Sequence, residues 1–408
     1  MQTVSTPESE QRADAPLKYR WAMLALVWLA YATFGLATRA VAPLVTPIMR
    51  DLGISNTQMG AILGGWQAAY IVFAVFAGVI LDRWGVRKAI LFGGLIIALS
   101  LIVRYWVDSF VPLFLGVALL GVGGPLISIG SPKMVSAWFQ GRERGIAVGI
   151  YATGPIAGSL IALSATHPIV MPMVGGSWRS AFLIYGILAL IVTALWTLAS
   201  KELPREPHEY AAKPLHVLRG LLSSSEVRNI LAMGVCSFAV IHGFGNWLPK
   251  ILESGGLSQA EAGFLASSPL VAGLVAAMTV PRIIAKRLRR RAIVISALLT
   301  AGLLAATPLL TGVPLAVVLT AFGATSGVFL PLEMLMLMES PGMRARIMGS
   351  AGGIFFCFAE IGGVSGPLLL GILSDATNTF RDGLYALAAL ALLIALLAFG
   401  TPGARQNR

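Results

Sequence analysis

The sequence predicts an all-α membrane protein, with twelve transmembrane helices in two pseudo-symmetric six-helix bundles. Three observations carry that prediction. The 408 residues are 57% hydrophobic and 12% charged, about half the charge of a soluble domain, so lipid must solvate much of the surface. The apolar residues gather into twelve runs of about 20, the length a helix needs to cross hydrocarbon while satisfying its own backbone. The basic residues alternate from loop to loop, as the positive-inside rule requires of an even number of spans. Mean hydropathy is +0.81.

The elements follow in order. A polar stretch of about 18 residues, without a signal-peptide pattern, precedes the first span over 21–48, which serves as its own insertion signal. The second span, 57–81, ends at the polar turn Asp82–Lys88, and a short link containing Asp108 separates the third, 89–107, from the fourth, 111–139. The fifth, 146–171, follows Arg142 and Arg144, and the sixth, 179–198, runs into KELPREPHEY. Segment 199–227, the longest polar stretch, reads as a hinge, with PLHVLRGLL (214–222) as a short interfacial helix. The remaining spans are expected at 228–251, 260–281, 292–310, 314–338, 348–373 and 381–400. The division is therefore an N-terminal bundle over 1–198, a cytoplasmic central loop over 199–227 and a C-terminal bundle over 228–408. With both termini in the cytoplasm, the outer loops carry only Arg50, Arg179, Lys250 and Arg381, while the inner segments hold runs such as Arg282–Arg291.

The halves echo each other. GISNTQMGAIL (53–63) aligns with GLSQAEAGFLA (256–266), and RERGIAVG (142–149) with GMRARIMG (342–349), in the same order and at nearly the same offset. Parallel internal repeats of this kind imply two bundles related by an axis along the membrane normal.

One loop is more specific. Between the second and third spans stands Gly78-Val-Ile-Leu-Asp82-Arg83-Trp-Gly85-Val-Arg87-Lys88. It resembles the G-x-L-x-D-R-x-G-x-R-K motif of the major facilitator superfamily, and with twelve spans and a long central loop the resemblance covers essentially the whole chain. Gly85 permits the tight turn. The resemblance implies secondary transport by alternating access. It also implies that Asp82 meets the N-terminus of the eleventh helix, where the helix dipole favours a negative charge, that this contact clamps the outward-open state, and that Arg83 and Arg87 orient it. The corresponding place in the second half, Pro281-Arg282-Ile-Ile-Ala-Lys286-Arg287, lacks the acid and the glycine, so a gate of this kind is expected on one side only. Gly149, Gly154-Pro155 and Gly158 resemble a glycine–proline motif of proton antiporters without its full glycine pattern, and Gly363 with Gly366-Pro367 is similar, although close packing of the fifth helix with the eighth, or of the second with the eleventh, explains them at least as well. The arginine that many proton-coupled members carry in the fourth helix is absent from Leu115–Gly124.

Ionisable residues at bilayer depth are costly and usually face a cavity. Arg39 in the first span and His242 in the seventh are related by the repeat, and the resemblance places both helices beside the central cavity. Arginine holds carboxylate or phosphate bidentately, and histidine exchanges protons near neutral pH. Lys133 and Glu333 are likewise repeat-related and are expected either to bridge the halves at an inner gate or to snorkel separately. Glu360 at mid-depth is a candidate for a coupling proton, or else a salt-bridge partner of Arg39 or Lys133. Arg104 and Asp108, one turn apart, read as a surface ion pair. Trp66, Gln67, Tyr70, Tyr151, Asn246, Trp247 and Phe356 are further candidates for the cavity wall.

Other classes are excluded. The net charge of +12 sits in short loops and reads as topology signals and anionic headgroup contacts rather than a nucleic-acid surface. Cys236 and Cys357 lie in apolar runs, and the four histidines are scattered, so neither a disulfide framework nor a metal or cofactor site is expected. No P-loop and no nucleophile–base cluster points to an enzyme. The expectation is a monomeric, multi-pass carrier of the inner membrane that moves a small organic or inorganic anion, coupled to a proton or other ion. SPKMVSAWF followed by RERG (131–145) resembles the anion-porter and cyanate–nitroimidazole branch. The alternative is a proton-coupled exporter of drugs or cationic metabolites, with Glu360 and Glu333 as its acidic site.

Overall fold

The computed structural model describes residues 7–201, 221–340 and 345–400, with side chains for 19–201, 221–340 and 350–400. Among these are twelve helices long and apolar enough to cross a membrane. They are α1 (Tyr19–Leu52), α2 (Asn56–Trp84), α3 (Val86–Trp106), α4 (Phe110–Trp138), α5 (Gly141–Met173), α6 (Trp178–Ala199), α7 (Ser225–Ser254), α8 (Gln259–Ile283), α9 (Lys286–Leu309), α10 (Gly312–Glu339), α11 (Ser350–Thr377) and α12 (Arg381–Gly400). Every expected span is present. Most of the central loop, and the interfacial helix expected from residue 214, lie outside the described residues.

Helices run past their apolar cores because polar residues cap them. Ser55 accepts from the Gln58 amide while Gln58 accepts from the Ser55 amide, and Ser258 and Glu261 do the same at α8. Gly53 (φ 61°) and Gly256 (φ 95°) turn the chain into these two caps. The aligned segments of the two halves thus fold into the same device. Gly85 (φ 83°) closes α2, its N–H reaching Leu81 O at 3.1 Å. Proline interrupts two spans. α1 stops at Arg39, makes a 3-10 turn through Pro43, and resumes over Val45–Leu52. α5 breaks at Thr153 before Pro155, and widens to a π turn over Thr166–Val170.

Within the first half α2 packs on α4, α3 on α4 and α6, and α1 on α5. In the second, α7 packs on α11 and α12, α8 on α10, and α9 on α12. Small residues set the closest approaches, as in other membrane helix pairs. A Cβ at Gly158 would stand 1.8 Å from Ala32 O of α1, and one at Gly362 would stand 1.8 Å from Val235 O of α7. The glycine–proline segments of α5 and α11 therefore pack mainly on α1 and α7.

We call the face bearing the α1–α2 and α7–α8 links distal, and the face of the termini terminal. The halves meet through α2 with α11, α5 with α8, and the end of α1 with α7. At the distal side a Cβ at Gly60 would stand 2.6 Å from Pro367 O, one at Gly64 would stand 2.8 Å from Val364 O, and one at Gly263 would stand 2.3 Å from Leu163 O. Thr46 hydrogen-bonds Glu253 across the same seam.

Candidate functional site

A polar cluster sits at mid-depth where α1, α2, α7 and α11 converge. Arg39 occupies the last helical turn before the break in α1 and is 7% exposed. Its Nη1 donates to Asn246 Oδ1 of α7 at 2.5 Å. The guanidinium lies across Gly245, where a Cβ would stand 3.0 Å from Nη1, so a glycine at that position makes room for it. Among the described residues no carboxylate lies within ion-pairing distance of Arg39.

One turn of α7 further toward the terminal face, His242 Nδ1 lies 3.3 Å from Gln67 Nε2 of α2. The Gln67 amide is the donor here, so Nδ1 serves as acceptor. Gln67 is fully buried, and Glu360 is 6% exposed. Both border Gly363: a Cβ there would stand 2.6 Å from Glu360 Oε2 and 3.2 Å from Gln67 Nε2. Gln67 Oε1 and Glu360 Oε2 are buried acceptors without a hydrogen-bond partner among the described residues. The cluster therefore presents a fixed cation, a carboxyl and unfilled acceptors within one patch, a set that suits a ligand carrying both an anionic group and hydrogen-bond donors.

Aromatic rings wall the cluster on the first half. Trp66 meets His242 (6.1 Å between centroids), Phe34 (5.8 Å) and Tyr70 (6.0 Å), and Tyr151 stacks with Tyr31 at 6.1 Å. The Tyr70 hydroxyl pairs with Ser128 Oγ of α4 at 2.9 Å. On the second half Phe238 touches His242, and Phe356 touches Phe238. The structure thus gathers Arg39, Gln67, Trp66, Tyr70, His242, Asn246 and Glu360, and places Tyr151 and Phe356 at the margin.

Other expected residues lie elsewhere. Trp247 is fully buried toward the distal side, where its indole donates to Pro367 O at 2.9 Å and packs on Phe380. It fastens α7 to α11 instead of lining the cluster. Lys133 does not meet Glu333. It reaches Asp82 at 2.6 Å within its own half, where both side chains are partly exposed. Glu333 is sealed inside the second half with Ser237 Oγ 2.5 Å away and its Oε2 unpartnered. Arg87 does not orient Asp82, because it ties the α2–α3 turn to the end of α6 through Ser200 Oγ (3.1 Å) and Thr197 O (2.9 Å). Arg83 is exposed at the same turn. The side chains that open α11 lie outside the described residues, so the expected Asp82 contact there has no structural counterpart to compare.

Arg104 and Asp108 form no surface pair. Arg104 is wholly buried, donates to Ser100 Oγ at 2.8 Å and lies over the Phe182 ring, whereas Asp108 accepts from Ser109 Oγ. The reason is the end of α3: the chain turns through a 3-10 segment, Arg104–Trp106, that aims residue 104 at α6. Sequence reasoning missed Tyr31, Phe34, Ser128 and Gly245, and read Gly363 only as part of a glycine–proline motif. That these two glycines make room for Arg39 and for Glu360 with Gln67 emerges only once their neighbours are known.

The sequence profile of the Major Facilitator Superfamily matches residues 27–359. A hexuronate transporter of Bacillus subtilis (strain 168) is 27% identical over 375 residues, which is 86% of each chain. A quinolone resistance transporter of Acinetobacter baumannii is 26% identical over 397 residues, again 86% of each. Among solved structures, a bacterial homolog of the human lysosomal transporter Spinster, in an inward-facing and occupied conformation, superposes with a TM-score of 0.76 at 16% identity, covering 93% of this chain and 96% of the other.

Proposed function

The chain belongs to the Major Facilitator Superfamily, and from that premise we propose that this secondary transporter moves a small hydroxylated organic acid through the cluster around Arg39. One observation carries the reading: a buried guanidinium at the seam of the two halves, held by an amide and, among the described residues, paired with no acid. A charge so placed is costly unless a ligand shares it. A substrate carboxylate satisfies Arg39, and substrate hydroxyls donate to Gln67 Oε1 and Glu360 Oε2. The hexuronate transporter relative, whose named cargo is a sugar acid, fits this chemistry.

Glu360 is the group we assign to coupling, since it borders the same patch and takes or gives a proton without leaving it. The chain lies in the inner membrane as a monomer, with both termini cytoplasmic, the orientation its basic loops favour. The distal face is then outer, and the seam described above corresponds to a state closed outward. A second reading, export of a larger drug-like solute, draws support from the aromatic wall and from the quinolone resistance transporter relative.

The test is uptake into proteoliposomes with a panel of sugar acids, simple carboxylates, inorganic anions and cationic drugs, with and without a pH gradient. The expected result is uptake of a hydroxylated acid, with Arg39→Gln raising its apparent KM tenfold or more, the order set by losing a charged hydrogen bond of about 1.5–3 kcal/mol. Unaltered acid uptake by Arg39→Gln, or transport confined to cationic drugs, removes the anion reading.

A further inference from the structure

We propose that Asp375 is a latch that holds the distal face closed, by capping a helix of one half with a carboxylate from the other. The inference rests on the transporter reading, because a latch matters only in a chain whose halves part.

An α-helix leaves its first amides without intrahelical partners. At α2 these are divided between two sources. Ser55 and Gln58 satisfy each other's amides within the same turn. The two amides between them are met from across the seam: Asn56 N donates to Asp375 Oδ1 at 2.9 Å, and Thr57 N to Asp375 Oδ2 at 2.7 Å. Asp375 stands in the last turn of α11, in the other half. The two helices are pressed together here, since a Cβ at Gly371 would stand 2.3 Å from Asn56 O. One carboxylate thus uses both oxygens on a helix N-terminus, where the dipole also favours its charge.

The arrangement is one-sided. α8 repeats the local capping box through Ser258 and Glu261. However, the end of α5 that would answer α11 in the repeat, Thr166–Met173, holds no acid. Among the described residues the bridging cap therefore exists only between α2 and α11. These bonds join the halves at the distal end and have no equivalent once α2 and α11 separate there. They stabilise the closed state alone, and a group with differential interaction in two states shifts the equilibrium between them.

The experiment uses the full chain with Cys236 and Cys357 replaced by alanine and spin labels at Val111→Cys and Val313→Cys. Both sites are exposed at the distal starts of α4 and α10, in opposite halves. Distances are read without substrate, so the result stands apart from the identity of the cargo. Asp375→Asn, which keeps the shape but turns an acceptor into a donor, is expected to raise the ratio of open to closed distal populations about tenfold. Gln58→Ala is the control for fold damage, because it removes the cap on the Ser55 amide at the same helix end within one half. It is expected to lower thermal stability while leaving the ratio in place. An unchanged ratio in Asp375→Asn overturns the proposal, as does an equal shift in Gln58→Ala.

Discussion

At the scale of single residues, function concentrates where charge is stranded. Arg39, His242 and Glu360 were legible in the sequence because an ionisable side chain inside an apolar run has few bland explanations. Asn246 and Gln67 were named as candidates for the cavity wall, but their pairing with Arg39 and His242 was not legible, since it depends on helix geometry that a single strand of letters does not encode. Arg104 shows the limit most clearly: its spacing to Asp108 suits a surface pair, yet a 3-10 turn carries it inward onto Ser100 and Phe182. Lys133 and Glu333 were paired by repeat symmetry, which relates positions but does not bring them together. The residue-scale prediction concerns Glu360. Glu360→Gln is expected to abolish accumulation driven by a pH gradient while retaining substrate exchange between labelled and unlabelled pools, because the mutant keeps the site's shape and loses its titratable proton. Accumulation and exchange measured in the same proteoliposomes check this, and intact pH-driven accumulation would rule Glu360 out.

At the scale of elements, the apolar period and the loop charges located all twelve spans. The two capping boxes were present in the aligned segments as Ser55 with Gln58 and Ser258 with Glu261. Close packing of α5 with α8 and of α2 with α11 was expected and is present; what the sequence withheld was that the glycine–proline segments also press on α1 and α7. Gly154, Gly158, Gly362 and Gly366 could serve any neighbour, and their partners α1 and α7 are fixed only by the assembled bundle. Gly158→Ala tests how closely α5 must approach α1. Its new methyl would fall on Ala32 O, so the helices must separate, at a cost of about 1–3 kcal/mol. A lower melting temperature in detergent is expected. Gly149→Ala, on the same span with open space around it, is expected to melt with the parent.

At the scale of the whole molecule, the seam between halves joins a ligand cluster at mid-depth to a row of close contacts at the distal end. Thr46 and Glu253 face each other across that row. Replacing both with cysteine and joining them through a short thiol cross-linker is expected to stop uptake, and cleaving the linker to restore it. Uptake that continues when the pair is fully joined would mean that these ends never separate. The glycine–proline motifs pointed to α2 with α11 and α5 with α8, but the atoms that meet along the seam come from distant parts of the chain and are set by the assembled fold. Buried Arg104 bears on how the molecule is made. In the orientation proposed above, with the termini inside, its guanidinium must traverse the hydrocarbon before α6 arrives, at about 2.5–3.5 kcal/mol for a helix travelling alone. Ser100 accepts from Arg104 and donates to Gly116 O of α4, so the hairpin of α3 and α4 brings polar company for the crossing. The third and fourth helices are thus suited to leave the translocon as a pair.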